Sequence, residues 1–131
     1  SSFREKLAII VKLAEERRAE LVKKNKEAFG HRKLNVDDIL NRTPIQQALH
    51  SYLMSMSQKE LRKALTLMYS GRIDEELILE VQKRLPVDRE KENLAGSLYG
   101  KIWLAKYLRH GLALSDEMCM DIEGEELQLL V

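Results

Sequence analysis

The chain has 131 residues, 44% hydrophobic and 33% charged, with two prolines, six glycines and a formal net charge of +1. That length supports one domain with a core of its own, and the composition excludes a disordered chain and suits helices better than a β-sandwich. The longest unbroken apolar run, Leu7 to Val11, falls far short of the about 20 residues that cross a bilayer, so no membrane span is expected, and the lone Cys119 points to a reducing, cytoplasmic setting.

Residues 3–29 place Phe3, Leu7, Ile10, Val11 and Ala14 on one face at helical spacing, continued less cleanly by Leu21. The pattern predicts a long amphipathic N-terminal helix. Arg17, Arg18, Lys23 and Lys24 interrupt a strict heptad seam, which argues against a long coiled coil. Gly30 supplies the stop, and residues 31–42 read as a connector with at most a turn of helix from Val36 to Leu40.

Thr43 opens the clearest helix as N-cap. Pro44 suits the first helical position and Gln46 completes a capping box. Ile45, Ala48, Leu49, Tyr52, Leu53 and Met56 form its apolar stripe. A second box follows at once, Ser57 with Glu60, ahead of Leu61, Ala64, Leu65 and Met68, so two helices meet at a tight joint. Gly71 is expected to end the second helix in a left-handed conformation, with Asp74 capping the next one and Asp74, Glu75 and Glu76 opposing its positive N-terminal end. Arg72 then has local partners on both sides and needs no ligand. Leu77, Ile78, Val81 and Leu85 form the next stripe, which Pro86 closes.

Asp88 is read as the cap of the last strong segment and Gly111 as its end. Gly96 and Gly100 together would cost about 2 kcal/mol inside one continuous helix. Either they let another backbone cross closely, or Gly100 ends a first helix and Lys101 and Ile102 begin a second. Tyr99, Trp103 and Tyr107 recur at i+4 and would share one face. After Leu114 the chain offers a short capped helix at best and then an acidic, partly mobile tail.

The stretch LMYSGRID, followed after a helix by AGSLYGKIWLAKYLRHGL, resembles a small all-helical bacterial domain family of unknown function. That family carries a Gly-Arg-x-Asp corner, then a Leu-x-Gly step before a Leu-x-x-Tyr-Leu-x-x-Gly-Leu run. The matching positions are Gly71, Arg72 and Asp74, then Leu98, Gly100, Leu104, Tyr107, Leu108, Gly111 and Leu112. The resemblance spans roughly Ser57 to Leu114 and implies an all-α fold with a break at Gly100. Lys101 and Ile102 stand where the family favours a Thr-Pro type start. No activity is implied.

Motifs for chemistry are absent from the sequence. His31, His50 and His110 form no i, i+3 or i+4 pair, and Cys119 has no neighbouring His or Cys, so no metal-ligand spacing exists. Asp37/Asp38 and Glu75/Glu76 are adjacent pairs at expected helix starts, poorly placed to share one site. There is no nucleophile elbow, phosphate loop or dinucleotide fingerprint, and neither catalysis nor a cofactor or metal is expected.

Charge is uneven along the chain. Residues 1–33 carry ten Lys/Arg against five Asp/Glu, whereas residues 115–131 carry six acids and no base. A basic arm of Arg17, Arg18, Lys23, Lys24, Lys26, His31, Arg32 and Lys33 could neutralise phosphates. An acid-rich start to the helix after Gly71 would repel DNA. The expected architecture is therefore a single all-α bundle of five or six helices: an N-terminal helix over 1–30, core helices over 43–114 and an acidic tail over 115–131. The leading expectation for function is protein association, above all homodimerisation, through Phe3, Leu7, Ile10, Ala14, Trp103 and Tyr107. The alternative is a small nucleic-acid-binding regulator using Arg17, Arg18, Lys23, Lys24, Arg32 and Lys33. Gly71, Arg72, Asp74, Gly100 and Gly111 are assigned to structural corners.

Overall fold

A computed structural model of the protein describes residues 2–24, 41–73 and 78–130. Among these residues the fold is all-α, with six helices and one minute two-stranded sheet. The helices are α1 (Phe3–Lys24), α2 (Pro44–Ser55), α3 (Gln58–Arg72), α4 (Ile78–Arg84), α5 (Lys91–Tyr99) and α6 (Leu104–Glu117). The strands β1 (Met120–Asp121) and β2 (Gln128–Leu129) pair antiparallel, Met120 opposite Leu129.

Both capping boxes form as read. Thr43 accepts from the Gln46 backbone N–H while the Gln46 side chain takes the Thr43 N–H, with Pro44 in the first turn, and Ser57 and Glu60 repeat the arrangement. Each box satisfies two N–H groups that a helix start leaves without a partner. The Thr43 hydroxyl also donates to Glu20 at 2.5 Å, tying the start of α2 to α1.

The middle of the molecule is α3. Ten of its residues are buried, the polar Arg62, Lys63, Thr66 and Ser70 among them, so it is enclosed on nearly every side rather than along one stripe. Thr66 and Ser70 satisfy their hydroxyls by donating to the Arg62 and Thr66 carbonyls one turn back. Around α3 pack α4, α5 and α6, while α1 lies on α2 and α6.

Gly71 and Gly111 correct the sequence reading. Neither ends a helix: α3 continues to Arg72 and α6 to Glu117, and neither glycine has a left-handed backbone. They sit where α3 and α6 cross. A Cβ on Gly71 would overlap the Tyr107 carbonyl oxygen and come within 2.6 Å of the Gly111 nitrogen; one on Gly111 would overlap the Leu67 carbonyl oxygen and lie 2.6 Å from its carbon. The left-handed residue after α6 is Cys119, with φ 54°. Of the two readings of Gly96 and Gly100, the close backbone crossing does not hold, since a Cβ on Gly96 meets nothing within 4 Å and one on Gly100 meets only the Gly96 carbonyl oxygen of its own helix, at 3.2 Å.

The break at Gly100 is present. Its φ is −70°, its N–H returns to the Gly96 carbonyl, and α6 starts only at Leu104, with Trp103 rather than Lys101 at the cap position. The break therefore separates Tyr99 from Trp103 and Tyr107, so the three do not share one continuous helical face. Glu90, not Asp88, occupies the cap position of α5, without a side-chain bond.

The acidic tail is part of the core. Met120, Ile122 and Leu127 are buried, and α6 itself absorbs Ser115 to Glu117. Lys63 donates from Nζ to the Ile122 and Gly124 carbonyls at 2.6 Å each. Gln82 pairs with both backbone groups of Leu127. Glu123 accepts from the Phe3 and Arg4 N–H groups at 2.7 and 3.2 Å, capping α1 from across the molecule. The expected stop at Gly30, the turn at Val36–Leu40, and the cap and acidic turn of Asp74, Glu75 and Glu76 with Leu77 lie outside the described residues.

Candidate interaction surface

The buried face of α1 runs Phe3, Leu7, Ile10, Ala14, Arg17, Leu21, an alternation of four and three residues. Phe3, Leu7, Ile10 and Ala14 are 4, 1, 0 and 1% exposed in the chain's own core. The stripe expected to drive association is thus covered by α2, α6 and the tail of the same chain. It offers no surface while α1 stays in place.

Arg17 occupies the same seam at 0% exposure. Its Nη1 donates to the Tyr99 carbonyl and its Nη2 to the Lys101 carbonyl at 2.6 Å, and the guanidinium lies 4.8 Å from the Tyr99 ring centroid. These carbonyls belong to the C-terminal end of α5, where a helix leaves acceptors without partners and carries negative potential. Burial pulls the Arg17 pKa down, and Tyr99 opposes that shift. Arg62 does the same for α4, donating to the Gln82 and Leu85 carbonyls at 2.7 and 3.0 Å. Two helices that end without a left-handed glycine are closed by arginines from other helices. Arg17 therefore leaves the set of candidate nucleic-acid contacts.

The remaining basic candidates separate. Lys23 and Lys24 are exposed at the end of α1, and Arg32 and Lys33 lie outside the described residues. Arg4 and Lys6 are held by Asp116 at 2.7 Å and Glu60 at 2.5 Å. Arg72 is exposed at the end of α3. His50 sits edge-on to Tyr99, its pKa lowered by burial and by Arg42.

Arg18 takes a different position. Its guanidinium carbon stands 3.9 Å from the Trp103 ring centroid, and the Lys106 ammonium approaches the same ring at 5.3 Å. The break at Gly100 swings α6 so that its first turn faces α1, and the first turn of α6 contains no acid. Between the two helices lies a groove of about 300 Å³. Glu15, Arg18 and Ala19 line it from α1; Ile102, Trp103, Ala105, Lys106 and Arg109 line it from the other side. Arg109 is paired with Glu15. Trp103 and Tyr107 are both half-buried, but only Trp103 lines the groove.

A second cavity of about 290 Å³ opens between Phe3, Glu60, Lys63 and Glu123. Its Lys63 is engaged by two carbonyls and lies 4.0 Å from the Phe3 ring centroid. Burial lowers the Lys63 pKa, against Glu123, Glu60 and Asp121. This cluster fastens the tail to α3. Among the described residues no three His, Cys, Asp or Glu side chains gather as a metal-holding group, and no helix is long and apolar enough to cross a membrane.

Comparison with protein-family models, curated proteins and solved structures finds no match to this chain.

Proposed function

We propose that the protein acts by association with another protein through the groove between α1 and α6, without chemistry of its own, in a reducing, cytoplasmic setting. The observation that carries this reading is the placement of the single tryptophan. Trp103 is half-buried in an open groove under two cations, whereas the apolar stripe of α1 is covered within the chain. Aromatic and arginine side chains together are the residues that most often anchor protein contacts.

The nucleic-acid reading has less support. Of its α1 residues Arg17 is enclosed and Arg18 is half-buried, and Glu15, Glu16 and Glu20 lie between the exposed Lys12 and the exposed Lys23 and Lys24, which interrupts the continuous positive track that phosphates require. A photoreactive residue at Ile102, compared with one at the exposed Val87, tests the proposal in cells. Protein adducts from position 102 alone, a second copy of the chain included, support it. Nucleic-acid adducts, equal labelling from both positions or no adduct from 102 contradict it.

A further inference from the structure

We infer that the occupant of the α1/α6 groove is an acidic peptide segment carrying an aliphatic side chain, its carboxylate held by Arg18 and Lys106 beside the Trp103 indole. This rests on the association reading and adds the chemistry of the partner. The groove is lined by three cations, Arg18, Lys106 and Arg109, against one acid, Glu15. Arg109 already engages that acid. Arg18 and Lys106 are thus left facing the groove with no further carboxylate among its lining residues. Arg18 also has its Nε enclosed without a hydrogen-bond partner. Packing on the indole fixes the guanidinium plane, so a bidentate carboxylate meets a pre-oriented fork and loses less side-chain entropy on binding. Ala19, Ile102 and Ala105 supply apolar wall for one aliphatic group beside the charge.

Two other occupants fit less well. A nucleobase would stack on the indole, but the Arg18 guanidinium stands at stacking distance already. A second copy docking by a twofold through this patch would set Arg18 and Lys106 against their own counterparts, because the same surface meets itself across such an axis.

The chain's sole tryptophan lines the groove, so its fluorescence reports occupancy directly. The intact protein is titrated with a synthetic peptide of Glu-Glu-Leu repeats, with the matching Gln-Gln-Leu peptide, and with oligothymidylate. The expected result is a saturable change in Trp103 emission with the acidic peptide. Its affinity should fall about tenfold or more for the Gln peptide, for Arg18→Gln and for Lys106→Gln, the loss that removing one charge-assisted hydrogen bond implies. Helical circular dichroism should be unchanged in both variants; if one is misfolded, the other and the Gln peptide still decide. Equal affinity for the Gln peptide, preference for oligothymidylate, or no emission change at millimolar acidic peptide would overturn the inference. Protein adducts from position 102 alongside any of these results leave the association reading standing and remove only its acidic partner. Loss of those adducts as well removes both.

Discussion

Gly71 and Gly111 face each other where α3 and α6 cross, each leaving room for backbone of the other helix: Tyr107 and Gly111 against Gly71, Leu67 against Gly111. Side chains normally hold packed helices about 8–10 Å apart, and only residues without a Cβ let backbones touch. The crossing seats α6 on the enclosed α3. It thereby presents the first turn of α6, with Trp103, to α1. The groove is in this sense a product of two glycines that do not line it.

Arg17 should carry a large share of the stability of the α1/α5 contact. Arg17→Met removes two hydrogen bonds from a charged donor and leaves the Tyr99 and Lys101 carbonyls without those donors, which should cost about 2–4 kcal/mol in urea unfolding. Arg17→Lys should fall between, since an ammonium lacks the fork that spans both acceptors. Lys23→Gln, on the exposed end of the same helix, should lie within about 0.5 kcal/mol of wild type. An unchanged midpoint for Arg17→Met would show that the carbonyls find other donors.

Glu123 should act as the N-cap of α1 although 120 residues separate it from Phe3. Glu123→Ala is expected to cost about 1 kcal/mol, with faster amide exchange at Phe3 and Arg4. Glu123→Gln keeps an acceptor oxygen and should lose less. Unaltered exchange at both amides in the alanine variant would dismiss the cap.

Acid should weaken the joint between α1 and α3. Burial pushes the Glu60 carboxyl up, but Lys6 and the Ser57 cap outweigh it and hold its pKa below the ordinary value of 4.5. A carboxylate depressed in the folded state contributes stability that is present above its unfolded pKa and is lost as pH falls through the folded one. The urea midpoint should therefore decline on acidification below about pH 5. Glu60→Gln should flatten that decline, because glutamine keeps the capping box but carries no charge. Parallel profiles for the two proteins across pH 3–6 would assign the acid sensitivity elsewhere.

The sequence made visible what acts within a turn or two of helix. Thr43 with Gln46 and Ser57 with Glu60 are bonded as their spacing predicts, because a capping box needs no distant partner. The break at Gly100 was only half legible: local pattern offered it beside a close backbone crossing, and the structure has the break. Gly71 and Gly111 were not legible, since a glycine looks the same in sequence whether it serves a left-handed turn or a close crossing. The distinguishing signal was periodicity: Leu104, Leu108, Gly111 and Ser115 are the buried seam of α6, and a glycine on a seam marks an approach rather than an end. Arg17 carried the same signal in α1 and was read as an interruption. The tail's hold on the core rests on Lys63, Gln82 and Glu123, whose partners are 45 or more residues away, a separation that no local pattern encodes. Arg18 and Trp103 were each singled out, but for different functions; only the folding of α6 against α1 brings them together.

The glycine crossing is tested most directly by urea unfolding of Gly71→Ala beside Gly96→Ala. Both positions lie inside helices, where alanine is favoured over glycine by about 0.5–1 kcal/mol. A Cβ at Gly96 meets open space, whereas one at Gly71 meets the backbone of α6. Gly96→Ala should therefore gain about 0.5–1 kcal/mol and Gly71→Ala should lose about 2 kcal/mol or more. Equal gains at the two sites would contradict the crossing and, with it, the placement of Trp103 against α1.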